Sequence, residues 1–284
     1  MKQHGSEWHE WRGRGLGASD APAVMGVSPW LTAYQLWEIK RGLAVHEPSE
    51  YATGRGKDLE EIARQHYTMH TGHEVRPATF THPEMTFLRA SLDGWNREIS
   101  LVVEIKCVGQ KNHDLAFRGQ IPDYYYPQLQ HQLFVTGSRK PAHYWSFFDN
   151  SGILVEVPRD DDYINDKLLP TEKEFWASVV AGKAPPLSDR DYKKVTSPEI
   201  SELLLQYRIY KNTYEASKKQ MDSLKEKIAA LADHPRIECH GALIAKIHRQ
   251  GSVDYKAIPE LKSIDLDKFR KDPTEFWTIR EKKK

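Results

Sequence analysis

"SLDGWNREISLVVEIKC", residues 91–107, is the stretch whose reading decides the fold. Leu101 to Cys107 has the composition of a strand, yet Glu104 and Lys106 alternate inside a run of Val, Ile and Cys. Residues two apart in a strand share a face, so Glu104 and Lys106 project one way while Val103, Ile105 and Cys107 project the other. One face is therefore core and the other is solvent or chemistry. Glu-x-Lys by itself is ordinary for a half-exposed strand. Upstream, Asp93-Gly94 reads as a turn, and a hairpin returning the chain after a few residues would set Asp93 beside Glu104. Two carboxylates with the Ile105 carbonyl between them offer hard oxygen donors, suited to Mg²⁺ or Mn²⁺ rather than zinc. Lys106 beside them could hold a water or a phosphate oxygen. Such a set equips a site for metal-assisted phosphodiester hydrolysis.

Working outward, "SPWLTAYQLWEIKRG" reads as a helix with Ser28 as N-cap, Pro29 in the first turn and Gly42 past its end. Ser19 or Asp20 caps a shorter helix in "DAPAVMG". "GRGKDLEEIARQHYTMHTG" places Leu59, Ile62, Ala63, His66 and Tyr67 on one helical face, closed by Gly72. Strands are expected in "HEVRPATF", "MTFLRASL" and "SLVVEIKC", a helix from about Pro127 to Gly137, and a hairpin from "HYWSFF" with "GILVEV". The order helix, strands, helix, strands indicates an α/β or α+β fold with a central mixed sheet flanked by helices.

After "APPLSDRDYKKVTSPE", which reads as a linker, Ile200, Leu203, Tyr207, Tyr210, Tyr214, Ser217, Met221, Leu224, Ile228 and Leu231 recur at steps of three and four. That heptad seam predicts a helical arm, packed on its own domain or on another chain. A small hairpin turning near His240-Gly241 and a basic, Lys-rich end follow. The division expected is a front domain at 1–188 and an arm at 189–284.

The 284 residues carry 41 Lys plus Arg against 40 Asp plus Glu, but the near-neutral total hides an asymmetry. From Asp189 onward there are 21 basic and 16 acidic residues, against 20 and 24 before it. The back third is mildly basic, compatible with an anionic partner or with a solvated face. Two cysteines exclude a disulfide framework and suit a reducing compartment. The start "MKQHGSEWHEWRGRG" has no apolar signal segment, and no stretch is apolar enough to span a bilayer. A cytoplasmic location is expected.

The Asp93, Glu104-x-Lys106 pattern resembles the PD-(D/E)xK nuclease superfamily. Five blocks, in order, resemble its lambda-exonuclease-like, YqaJ-type branch of viral recombinases: "WHEWRGRGLGAS", "GKDLEEIAR", "SLDG", "VEIKC" and "QLQHQLFVTG". The resemblance covers residues 1 to about 185. It implies Asp93, Glu104 and the Ile105 carbonyl as metal ligands, Lys106 as the residue orienting water or acting as base, and Glu60 as reaching a second metal, with its neighbour Glu61 as fallback. It implies Gln130 as the glutamine binding substrate or metal-bound water. Arg12 matches the arginine for a DNA 5′-phosphate, with Ser19 and Ser91 as hydroxyl donors, Arg14 as alternative and Lys111 where the family has an arginine. Guanidinium suits a terminal phosphate; Lys111 lacks that planar fork. Val108 stands where the family often has Pro.

The function so implied is Mg²⁺-dependent 5′-to-3′ double-strand DNA exonuclease activity, with Mn²⁺ substituting and two ions per site. Its products would be 3′ single strands for phage-type recombination. A ring-shaped homotrimer, a single-strand annealing partner and a phage or prophage source in a bacterial cell belong to the same expectation. A restriction or repair endonuclease, or a non-catalytic DNA-binding accessory, are the alternatives. His66, His70 and His73 are not expected to share an orientation for zinc, since Gly72 breaks the helix. Cys107 should face the core, where thiols are inert.

Overall fold

The computed structural model describes residues 5–45, 50–259, 261, 264 and 266–280; the last of the Lys-rich end lies outside them. Two compact units result, Met1–Val195 and Thr196–Lys284. The first runs α1 (Ser6–Gly13), β1 (Leu16–Gly17), α2 (Ala21–Val24), α3 (Ala33–Lys40), α4 (Glu50–Thr71), β2 (Arg76–Thr81), β3 (Leu88–Asn96), β4 (Leu101–Cys107), α5 (Gln110–Phe117), α6 (Tyr126–Thr136), β5 (Ala142–Phe148), β6 (Ser151–Val157), α7 (Asp161–Tyr163) and α8 (Leu169–Ala181). The second holds α9 (Pro198–Leu231), β7 (Arg236–Cys239) and β8 (Ala242–Ala245). No helix among the described residues is long and apolar enough to cross a membrane.

The sheet of the first unit is mixed, in the order β1-β3-β4-β5-β6, with β2 also paired to β3. β4 lies antiparallel to β3 and parallel to β5. Alternation along β4 divides the core in two. Leu101, Val103 and Ile105 pack with Ala63 and Tyr67 of α4, whereas Val102 joins the larger cluster with Leu129 and Leu133 of α6. Helices thus cover both faces, which lets a charged residue on β4 be buried if it finds partners.

Three elements depart from the sequence reading. First, α3 begins at Ala33 because Thr32 and Gln35 form a reciprocal capping box; Ser28 instead closes a turn, its Oγ accepting from the N–H groups of Trp30 and Leu31 at 3.2 Å each. Second, Asp93-Gly94 is not a turn; the chain reverses at Arg97–Ser100, where Ser100 has φ 52°. Asp93 and Gly94 both stand between Leu92 and Trp95, the partners of Ala78 and Arg76, so two residues of β3 oppose Pro77 alone. That is a β-bulge, set where proline has no N–H to give the ladder. Gly94 is required for closeness: a Cβ there would lie 2.9 Å from Val75 Cγ2 and 3.0 Å from the Val103 Cβ.

Third, the polar stretch before α9 is not a free linker. Arg190 donates to the carbonyls of Ser28 and Pro29 at 2.5 and 2.9 Å, Asp191 accepts from Thr32 Oγ1 at 2.5 Å, and Lys194 pairs with Glu38 at 2.7 Å. The first unit accordingly extends past residue 188 to Val195. In the second unit, α9 is a continuous helix of 34 residues carrying the whole heptad seam, and none of its described side chains is buried. β7 and β8 form the small hairpin, with His240 and Gly241 in left-handed conformations at its turn.

Candidate active site

The bulge determines where Asp93 points. Pairing between β3 and β4 ends at Gly94 and Val103, so the N–H of Ile105 has no backbone partner on β3. Asp93 Oδ2 accepts that N–H at 2.9 Å, replacing the missing ladder bond with a carboxylate one residue from Glu104. An N–H and C=O of one strand residue face the same edge, so the Ile105 carbonyl opens toward the same wedge. The bulged carbonyl of Asp93 is satisfied in turn by Arg64 Nε at 2.9 Å.

Glu104 is only 2% exposed, and its charge is held from three sides. Lys106 Nζ lies 2.6 Å from Oε1, Gln128 donates to the same oxygen at 2.5 Å, and Gln132 donates to Oε2 at 2.5 Å. Lys106 also sits 4.8 Å from the ring centre of Tyr125. Burial works against the Lys106 ammonium, but Glu104, Tyr125 and Asp93 outweigh it and raise its pKa, so the amine stays charged.

The acids press on one another. Burial, then the charge of Glu104, push the Asp93 carboxyl well above the usual range, with Lys106 opposing and Glu60 adding to the rise. Glu60 is likewise raised, by burial and by Glu104, against the pull of Arg64 and Lys106. Arg64, 8% exposed, grips Glu60 at 2.6 Å and also pairs with Glu61, the more exposed of the two. Among the described residues no three His, Cys, Asp or Glu form a ready cage for a metal ion. Two acids and a carbonyl nevertheless fit a hard divalent cation that keeps several of its waters, and the mutual repulsion of the acids is what such a charge would relieve.

A second cluster adjoins the first along β3. Ser91, two residues before Asp93, accepts from Trp8 Nε1 at 3.2 Å, and the Trp8 ring lies 4.7 Å from the guanidinium of Arg12. Arg12 donates to Ser19 Oγ at 2.6 Å and stands 4.0 Å from Asp20, whose other oxygen pairs with Lys40 at 2.6 Å. Arg12, Ser19 and Ser91 are therefore brought together around Trp8. Arg14 is not with them; it pairs with Glu10 at the surface. Lys111 is exposed on α5.

Gln130 is the one expected site residue that the helix turns away. Its amide donates to the Pro158 carbonyl at 2.8 Å and accepts from Asp160 N–H at 2.9 Å, closing the end of β6. On a helix, positions two apart differ by about 200°, whereas those four apart share a face. Gln128 and Gln132 thus meet Glu104 together, and Gln130 cannot. The Gln-x₃-Gln spacing was the signal for this pair, and Glu60-x₃-Arg64 the signal for the arginine. The histidines of α4 pack on aromatic rings, His66 on Phe147 and His70 on Trp145. Cys107 is half-buried, and burial pushes its thiol up to about 11.

A central mixed sheet flanked by helices on both faces is a fold shared with a solved alkaline exonuclease. The chain is similar to the alkaline exonuclease of Laribacter hongkongensis, with a TM-score of 0.53 and 26% identity over 62% of this chain and 94% of that one. Against the same protein in complex with dAMP the TM-score is 0.55, with 27% identity over 63% and 94%. Residues 7–139 match the family model of the YqaJ-like viral recombinase domain. The uncharacterized protein YqaJ of Bacillus subtilis is 33% identical over 187 residues, 64% of this chain but only 58% of that relative's length.

Proposed function

We propose that the first unit is a divalent-cation-dependent exonuclease that resects double-stranded DNA from 5′-phosphorylated ends, leaving 3′ single strands for recombination by annealing. The observation that carries this reading is the Asp93 carboxylate seated on Ile105 N–H beside the Glu104–Lys106 pair, with Ser91 two residues upstream on β3 joined through Trp8 to the Arg12–Ser19 pair. The likeness to alkaline exonucleases and the YqaJ-like domain support it.

Asp93, Glu104 and the Ile105 carbonyl would hold Mg²⁺, or Mn²⁺ in its place, and Glu60 would serve a second ion. A cation so held supplies neutralising charge at the phosphate oxygens. Every other part falls to the chain. Lys106, already an ammonium, orients the attacking water or steadies charge on the phosphate rather than taking a proton. Gln128 and Gln132 fix the Glu104 carboxylate, and Arg64 fixes Glu60. Arg12, with Ser19 and Ser91, binds the terminal phosphate, so that the first phosphodiester link is the one presented at Asp93. Phosphate contacts of this kind make binding sensitive to salt and indifferent to sequence.

The test is digestion of linear duplex labelled at one end, with and without a 5′-phosphate, in Mg²⁺ and in EDTA. Release of nucleotides from the phosphorylated end in Mg²⁺ alone is expected. Equal rates on both kinds of end would remove the role of Arg12, and rapid nicking of a closed circle would replace an exonuclease by an endonuclease. A homotrimeric ring and a single-strand annealing partner extend the proposal; a monomer by light scattering at working concentration would count against the ring.

A further inference from the structure

Trp30 is 62% exposed, yet it is held firmly at three points. Ser28 Oγ accepts its backbone N–H, Arg190 clamps the two carbonyls before it, and its ring meets Tyr124 edge-on, 5.0 Å between centres at 81°. Tyr124 is itself fixed, its hydroxyl accepting from Asn112 Nδ2 at 2.9 Å and its ring packed on Tyr125 at 4.5 Å. The Tyr125 ring is the one under Lys106. A continuous run of aromatic contacts therefore leads from the amine of the candidate site to an indole in water.

Singly exposed aromatics are common on protein surfaces and need no explanation. What distinguishes Trp30 is restraint together with position. The Trp30 ring meets Tyr124 edge-on and lies tilted at 39° to Tyr125 with centres 6.3 Å apart, and the residue is still 62% exposed, so much of the indole faces water. An open, immobilised π-face beside a phosphodiester site is a platform for a nucleobase, whichever base it is, because every base has a face to stack.

Resting on the nuclease reading above, we propose that Trp30 stacks on a nucleobase flanking the cleaved phosphodiester bond and that Arg190 is its positioning residue. Trp30 registers the strand end for Asp93 and Lys106 without touching the reacting atoms.

The experiment compares wild type, Trp30→Ala, Trp30→Phe and Arg190→Ala on a 5′-phosphorylated linear duplex and on two duplexes lacking the base of the first or second 5′ nucleotide. On intact ends Trp30→Ala should raise KM roughly tenfold with kcat little changed, Trp30→Phe should keep most of the affinity, and Arg190→Ala should shift KM the same way by less. On one abasic substrate wild type should already be weakened and Trp30→Ala should add no further loss. An unchanged KM on intact ends, or an equal loss from Trp30→Ala on all three duplexes, would overturn stacking. Asp93→Asn run beside them separates the two readings: full activity there would sink the nuclease site itself, whereas an inactive Asp93→Asn with uncoupled Trp30→Ala would sink only the stacking.

Discussion

β4 and α9 are the two most regular stretches of this chain, and they use regularity in opposite ways. Along β4 a period of two carries charge into the interior, where Glu104 is matched by Lys106, Gln128 and Gln132. Along α9 a heptad period carries Leu, Tyr, Met and Ile along a helix that buries none of its described side chains. Periodicity states which residues share a face. What that face meets is decided by elements far away in sequence, such as α6 for β4.

The largest break in this contrast should come from neutralising a β4 acid or its neighbour. In the proposed nuclease site several kcal/mol of charge stabilisation at the phosphate rests on both acids, so on that reading Asp93→Asn or Glu104→Gln is expected to lower turnover a thousandfold or more. Single-turnover digestion in excess Mg²⁺, with DNA binding measured in parallel, checks this; retained binding with lost turnover is the expected pattern.

A second buried polar contact tests the same principle away from the chemistry. His131 Nδ1 lies 2.7 Å from Glu172 and its Nε2 3.0 Å from the Arg89 carbonyl, with both side chains fully enclosed. Burial disfavours the imidazolium, but Glu172 and the Arg89 carbonyl outweigh it and raise the pKa. Glu172→Gln should cost about 3–5 kcal/mol, the usual effect of stranding one member of a buried pair. Because the folded value lies above the unfolded one, the stabilisation is whole below the ordinary histidine range and is lost as pH rises through the raised pKa. Thermal melts should therefore show the gap between wild type and Glu172→Gln closing from near-neutral toward alkaline pH.

Smaller again is the comparison of Gln128→Ala with Gln130→Ala. Removing Gln128 strips a charge-assisted bond from Glu104, worth about 1.5–3 kcal/mol, and should appear mainly in turnover. Gln130→Ala should appear in stability, by loosening the turn at Pro158–Asp160, with turnover preserved. At the far end, Tyr210→Ala on α9 should move the melting of the first unit by less than about 0.5 kcal/mol, because an exposed side chain loses little. A larger loss would mean that the seam is covered after all.

Much of this was legible in the residues. The alternation at 101–107, the helix closed by Gly72, and the hairpin turning at Asp149 and Asn150, both in left-handed conformations, follow from local rules. Misreadings arose where distant packing outranked local chemistry. Asp93-Gly94 looks like a turn because glycine favours turns, but here glycine makes room for Val75 and Val103 and proline sits across the bulge. Ser28 looks like a helix cap and is one for a turn only, because Thr32 and Gln35 make the better start. Gln130 is the middle of a row of three glutamines; which of them faces Glu104 depends on the roll of α6 against the sheet.

The clasp at Arg190, Asp191 and Lys194 also fixes an order of events in time. Ser28, Thr32 and Glu38 leave the ribosome about 160 residues ahead of the groups that lock them, which stand just before α9. A chain folding from its N-terminus as it is made thus builds its sheet with the Trp30 loop still unlatched, and completes the loop only as the helical arm begins to emerge.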